Sequence, residues 1–267
     1  MTTKTRFRPS ANGLLHFGGA YVARQNWWFA KARGGKFVLI VDDVVPVFKS
    51  GRSDELAAKM REYGDAFRRD LDWLGWGPDE CHYASEFAAA HSWAAAELDI
   101  PALAEYPRLQ HLNRNVRDLS DVSVMSSYHP WLTAGRVSDD HELGVTEFVR
   151  GGDLVGEVQL YDHFARSLYG EGYRIWQEYT AIVVEPAGDV CSKTEGTAAI
   201  ADYREAGVTP EQIQEALANC LTLPWSYGAA HLCYMQVDEQ HLRVPSTRVQ
   251  EPPSLIPEPF DIETERL

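Results

Sequence analysis

The chain has 267 residues, 45% hydrophobic and 24% charged, as expected of a soluble globular fold large enough to bury a sizeable core. Its 25 basic against 39 acidic residues leave a formal net charge of -14, which argues against a surface built to grip a long stretch of nucleic acid. No apolar run reaches the roughly 18–20 residues of a membrane span and no basic-then-apolar export signal opens the chain, so no membrane partner and a cytoplasmic site of action are expected.

Near the start, a strand-like TRF (5–7) breaks into a Pro/Ser/Asn/Gly turn. Residues 18–33 read as a helix, with Ala20, Ala23, Trp27 and Ala30 at helical spacing and Gly34-Gly35 as its stop. KFVLIVDD (36–43) is a short continuous apolar run ending in two aspartates, the pattern of a buried parallel strand. Ser53 is placed as an N-cap ahead of Asp54 and Glu55. Leu56, Met60, Tyr63, Phe67, Leu71 and Leu74 stripe the helix that follows, and GWGP (75–78) ends it. A second block repeats the alternation, with strand VTEFV (145–149), helix Asp153–Leu168 and strand EYTAIVV (178–184). TPEQIQEALANCL (209–221) begins like a capped helix with Pro at its first position.

Strand alternating with helix predicts an α/β fold, a Rossmann-like doubly wound parallel sheet with a shortened insertion and a small helical C-terminal region. The expected divisions are 1–83 (first half of the catalytic domain), 84–127 (connective insertion), 128–195 (second half), 196–244 (helical) and 245–267 (a Pro-rich acidic tail). Trp27, Trp28, Trp73 and Trp76 are assigned to the core, and Trp131 either to a pocket wall or to packing. The four cysteines, Cys81, Cys191, Cys220 and Cys233, form no CxxC pair, so free thiols and no structural zinc are expected.

Two loops carry the chemistry. SANGLLHFGG sets Gly13, His16, Gly18 and Gly19 around a helix N-terminus, where backbone N–H groups attract anions and glycines admit a phosphate closely. Ser192 and Lys193 sit on a Gly-flanked loop after a strand, from which a lysine can neutralise charge developing on a leaving pyrophosphate.

Together these loops resemble the class I aminoacyl-tRNA synthetases of the glutamyl branch, and within it the short glutamyl-queuosine tRNA(Asp) synthetase-like proteins. HFGG (16–19) is similar to the HIGH motif, DDHELGVTEFVRGGDL (139–154) to the mid-chain block, and VCSKT (190–194) to the KMSKS loop. The resemblance implies ATP, with Mg2+, held by His16, Gly18, Gly19, Asp153, Leu154, Ser192 and Lys193, with His16 and Lys193 catalytic. It implies amino-acid contacts at Arg6, Arg8, Ser10, Asp42, Leu132, Arg136 and Arg150, and makes Asp139-Asp140-His141 a piece of the site floor rather than a metal cluster.

Departures from the family pattern stand at the pocket. Asp42 replaces a Glu, Arg8 a small residue and Leu132 a Tyr, Val44-Val45 replace a polar pair, and Val190 replaces the first lysine of KMSKS. The insertion is shorter than the family's acceptor-stem domain, and no anticodon-binding domain is expected after residue 220. The reading is an amino-acid-activating ligase, glutamate slightly favoured, that transfers its acyl group to a nucleoside, nucleic acid or small-molecule acceptor rather than charging a tRNA through its anticodon. The alternative is a non-catalytic relative that binds amino acid or nucleotide as a sensor.

Overall fold

The computed structural model describes residues 2–100, 130–180, 182–184, 198–218, 221–227 and 230–236. The run KFVLIV forms strand β2 (Lys36–Val41), and every residue after Lys36 is buried, as a strand covered on both faces requires. It pairs in parallel with β1 (Lys4–Phe7) on one side and β3 (Glu80–Tyr83) on the other. Helix α1 (Phe17–Ala32) crosses from β1 to β2, and α2 (Val44–Ser50) and α3 (Asp54–Trp73) lead from β2 to β3. Gly34, at φ 63°, turns the chain out of α1. At Gly35 the backbone passes so close to Thr3 that a β-carbon would lie 2.1 Å from its carbonyl oxygen. The predicted cap on α3 is present: the Ser53 Oγ accepts from the Leu56 N–H at 3.1 Å.

After α4 (Ala88–Glu97) and α5 (Pro130–Glu142) comes a second parallel pair, β4 (Glu147–Gly151) and β5 (Trp176–Thr180), connected by α6 (Val158–Tyr169). β4 lies against β1. The Thr146 N–H donates to the Lys4 carbonyl at 2.9 Å, and the Arg6 guanidinium sits 3.8 Å from the Phe148 ring centre, so the two strands run the same way. The spatial order is therefore β3-β2-β1-β4-β5, a doubly wound arrangement whose order reverses between β1 and β4.

Asn26 holds that seam from the α1 side. Its amide donates to the Val149 carbonyl (2.7 Å) and to the Val22 carbonyl (2.9 Å), and its Oδ1 accepts from the Val149 N–H (2.8 Å). Its own carbonyl accepts from the Thr5 hydroxyl (2.8 Å). One buried side chain thus takes both backbone groups of a β4 residue, where a neighbouring strand would otherwise do so.

Several expectations are corrected. The strand placed at 145–149 runs from Glu147 to Gly151. The helix placed at Asp153–Leu168 is a 3-10 segment (Gly152–Glu157) followed by α6. The run 178–184 is divided: β5 ends at Thr180, and β6 (Ile182–Val184) joins another sheet, parallel to β8 (Ala230–Gln236), which is itself antiparallel to β7 (Leu221–Tyr227). Among its described residues, the stretch 196–244 is thus helical at α7 (Ile200–Glu205) and α8 (Pro210–Ala218) and then becomes strands. LTLPWSY alternates apolar and polar residues with a period of two, the strand pattern that a helical reading passes over. Trp76 is in the core and Trp27 and Trp73 pack against it, but Trp28 is 55% exposed, because it lies one step past the buried stripe of α1. Residues 101–127 of the insertion, the loop carrying Cys191, Ser192 and Lys193, and the tail from 245 lie outside the described residues.

Replacing Asn26 by Ala strips partners from two buried backbone groups at the seam. We expect a loss of about 2–4 kcal/mol in urea denaturation, with the slope of the transition unchanged.

Candidate functional site

His16 is the N-cap of α1, and its Nδ1 accepts from the Gly19 N–H at 3.4 Å. That bond assigns the ring proton to Nε2, which makes the outer nitrogen a donor beside a helix terminus that favours anions. Gly19 is packed tightly, since a β-carbon there would meet Leu15 Cδ1 at 2.9 Å. The chain returns to the same place after the loop that carries Lys193. Ala199 bridges His16, the Ile200 N–H donates to the Leu15 carbonyl at 2.7 Å, and the Tyr203 ring meets Phe17 edge-on at 5.0 Å. Lys193 lies six positions before Ala199 in the sequence, a span of at most about 22 Å of extended chain.

The predicted acid-binding residues gather in a buried array of ion pairs. Arg6, from β1, grips Asp140 side-on, Nε to Oδ1 and Nη2 to Oδ2, both at 2.9 Å; Tyr161 donates to the same Oδ2 at 2.7 Å. Arg8 donates Nε to Asp42 Oδ2 at 3.0 Å and Nη1 to Asp139, whose other oxygen lies 2.5 Å from His91 Nε2. Asp42 Oδ1 also accepts from the Val45 N–H at 3.1 Å, and the backbone of Asp42 bonds to Pro9 and Ala11 on either side of Ser10. Glu157, from the end of the 3-10 segment, accepts from Thr133 (2.7 Å) and from the Nη1 groups of Arg136 and Arg150 (2.6 Å each).

Counting only formal charges, this array has two poles. Asp42, Asp139 and Arg8 sum to -1, and Arg136, Arg150 and Glu157 sum to +1, with the neutral Arg6–Asp140 pair between them. Burial opposes ionisation of Asp42, but Arg8 and Arg136 with the Val45 N–H outweigh it and hold the carboxyl below its usual range. Glu157 is likewise opposed by burial, yet its arginines bring it down to about 2. Burial lowers the Arg150 pKa, only partly offset by Glu157. The Nε and Nη2 of Arg150 are buried and have no hydrogen-bond partner among the described residues. Those are the two donors with which Arg6 grips Asp140, so Arg150 presents the edge that takes one carboxylate.

Arg6, Arg8, Ser10, Asp42, Arg136 and Arg150 are thus brought together, while Leu132 is half-buried on the first turn of α5. Asp153 and Leu154 lie on the 3-10 segment after β4. The floor reading of Asp139 and Asp140 fits their complete burial, but His141 is exposed and stacks on Tyr169 at 3.7 Å, so the third residue of that motif leaves the site. Trp131 packs edge-on against His91, behind Asp139. Sequence reasoning missed Glu157, Thr133, His91 and Tyr161. The signal for Glu157 was arithmetic: four arginines assigned to one pocket require several carboxylates nearby, because buried guanidiniums are retained only when paired.

The family profile described as tRNA synthetases class I (E and Q), catalytic domain, matches residues 2–98. The chain is 28% identical over 260 residues to glutamate–tRNA ligase 2 of Neorickettsia sennetsu, covering 88% of this chain and 59% of that protein. With that match, the motifs and the fold agree. This chain is similar to the class I glutamyl-tRNA synthetases. A glutamate–tRNA ligase of Xanthomonas euvesicatoria is 27% identical, with 87% of this chain and 59% of that relative covered. Among solved structures, the glutamate tRNA ligase of Elizabethkingia meningosepticum, described as in complex with its amino acid, shares the fold at a TM-score of 0.57 and 16% identity; the match covers 85% of this chain and 61% of that one. The chain spans about three fifths of the length of these similar proteins.

A depressed carboxylate pKa stabilises the fold above its unfolded value, and that contribution is lost as pH falls through the folded one. For Glu157 the window runs from 4.5 down to about 2. Glu157→Gln should therefore be less stable than the parent at pH 7 by about 3 kcal/mol, and the two unfolding curves should converge as pH drops through that window, as read by circular dichroism.

Proposed function

We propose that this chain is an adenylate-forming ligase: it joins the carboxylate of an amino acid to the α-phosphorus of ATP, releases pyrophosphate, and passes the acyl group to a hydroxyl or amine. The observation that carries this reading is the two-pole array together with the His16 helix terminus. An amino acid with a second carboxylate has one ammonium for the Asp42 pole, one distal carboxylate for the buried Nε–Nη2 edge of Arg150, and one carboxylate left to react. Glutamate is the first candidate, as the names of the relatives also suggest. The acceptor is a nucleic-acid or nucleoside hydroxyl or amine, or a small molecule, with tRNA the first to test because the relatives are named as tRNA ligases.

The residues then divide the work. The His16 Nε2–H and the N–H groups of Gly18 and Gly19 hold phosphate oxygens of the nucleotide, which arrives as its magnesium complex. Asp153 and Leu154, at the carboxyl end of β4, contact the adenosine. Lys193, with Ser192, closes from its loop on the charge that builds as pyrophosphate departs. Arg6, fixed by Asp140 and Tyr161, and Ser10 line the acid between the poles. The protein supplies orientation and fixed charge in a dry site rather than covalent chemistry.

Pyrophosphate exchange with a panel of amino acids tests the reading. Exchange stimulated by glutamate or a close analogue is expected, and silence with all of them contradicts it. Lys193→Ala should lower the exchange rate by about 10²–10³ while leaving nucleotide binding largely intact. Equal loss of binding would remove the transition-state role.

A further inference from the structure

Glu157 does two things that no motif announces. Its two oxygens are consumed by three donors, Thr133 Oγ1, Arg136 Nη1 and Arg150 Nη1, so it has little capacity left for a ligand. By holding Arg150 through Nη1, it also fixes the rotation of that guanidinium, which lies 4.5 Å from the Phe148 ring centre, and so fixes where the unpartnered Nε–Nη2 edge faces. Two arginines without Glu157 would form a pole of +2, and with it the pole is +1.

A pole of +1 with one bidentate edge suits a single carboxylate. A carboxamide of the same shape brings a donor face to face with a donor and leaves the charge unmatched. A phosphonate brings two negative charges to one positive charge in a buried site, where the unmatched one is costly.

We propose that Glu157 is a specificity-determining residue: it sets the charge of the acid pole so that the site accepts a side chain with one negative charge and rejects both neutral and doubly charged analogues. The inference deepens the adenylation reading and rests on its assignment of Arg150 to the substrate's distal carboxylate. Arg136, at 21% side-chain exposure, is the counter-charge through which the pole can be retuned.

The test uses the full chain with glutamate, glutamine and the phosphonate analogue of glutamate, at mildly alkaline pH where a phosphonate is doubly charged. Binding is read by calorimetry and turnover by pyrophosphate exchange. Glu157→Gln raises the pole to +2, and the phosphonate-to-carboxylate affinity ratio is expected to rise about tenfold. Arg136→Gln lowers it to zero, and the carboxamide-to-carboxylate ratio is expected to rise at least about fivefold. The double variant returns the pole to +1, and both ratios should come back to within about twofold of the parent. That restoration separates a charge role from a packing role, which a second substitution would worsen.

Ratios that stay fixed across the variants, or a double variant that does not restore them, overturn the proposal. Should Glu157→Gln fail to fold, Arg136→Gln decides alone, and an unchanged carboxamide ratio overturns it. Exchange with unchanged ratios removes this inference and keeps the adenylation reading. Shifted binding ratios without exchange for any acid do the reverse. Binding of none of the three acids to the parent protein overturns both.

Discussion

Between β1 and β4 the sheet closes at one end, where Thr146 bonds to Lys4, and is then handed to Asn26, whose amide takes up the backbone of Val149. This seam positions the rest of the site. β1 delivers Arg6 and, just beyond its end, Arg8 and Ser10; β4 delivers Arg150 and the segment that ends in Glu157. A reversal of strand order is the place where doubly wound sheets bind their ligands, at the carboxyl ends of the strands. The chain between β1 and the His16 terminus passes the same place, where Pro9 and Ala11 bond to the backbone of Asp42.

The arginines that emerge there are not stabilising in themselves. Removing a guanidinium from water costs several kcal/mol, which a carboxylate partner only offsets, so a buried ion-pair array of this size gives the fold little net free energy. What it provides is geometry: side chains that cannot turn, charges that do not wait on solvent to reorganise, and two poles of opposite sign a short way apart. Adenylate formation needs that more than it needs an acid or a base, because its barrier lies in positioning two anions against each other. Every residue of the two poles comes from the ends of β1, β2 and β4, the 3-10 segment and α5.

Much of the fold was legible in the sequence for direct reasons. Five consecutive apolar residues in KFVLIV need cover on both faces, Ser53 before Asp54 and Glu55 announces a helix start, and glycines at 34 and 75 take backbone angles that other residues avoid. The β7–β8 hairpin was hidden because a helical segment immediately precedes it and its period-two pattern is short. Asn26 could have been found: it occupies the same stripe as Ala23 and Ala30, and a polar residue on an apolar stripe needs a partner. The site was legible as a set of arginines and loops but not as a circuit. Glu157 lies 7 residues from Arg150 and 21 from Arg136, at spacings that no local periodicity connects. Only the fold sets those distances, and so the pairing of charge that decides which acid fits could not be read along the chain.

The central claim is that a nucleotide and an acid meet in the crevice between β1 and β4. Its most direct measurement is a crystal structure with a non-hydrolysable aminoacyl-adenylate analogue. The account predicts the analogue's phosphate at the α1 terminus beside His16 and its distal carboxylate on the Nε and Nη2 of Arg150. An analogue bound elsewhere, or a crevice filled by the protein's own side chains, would contradict it.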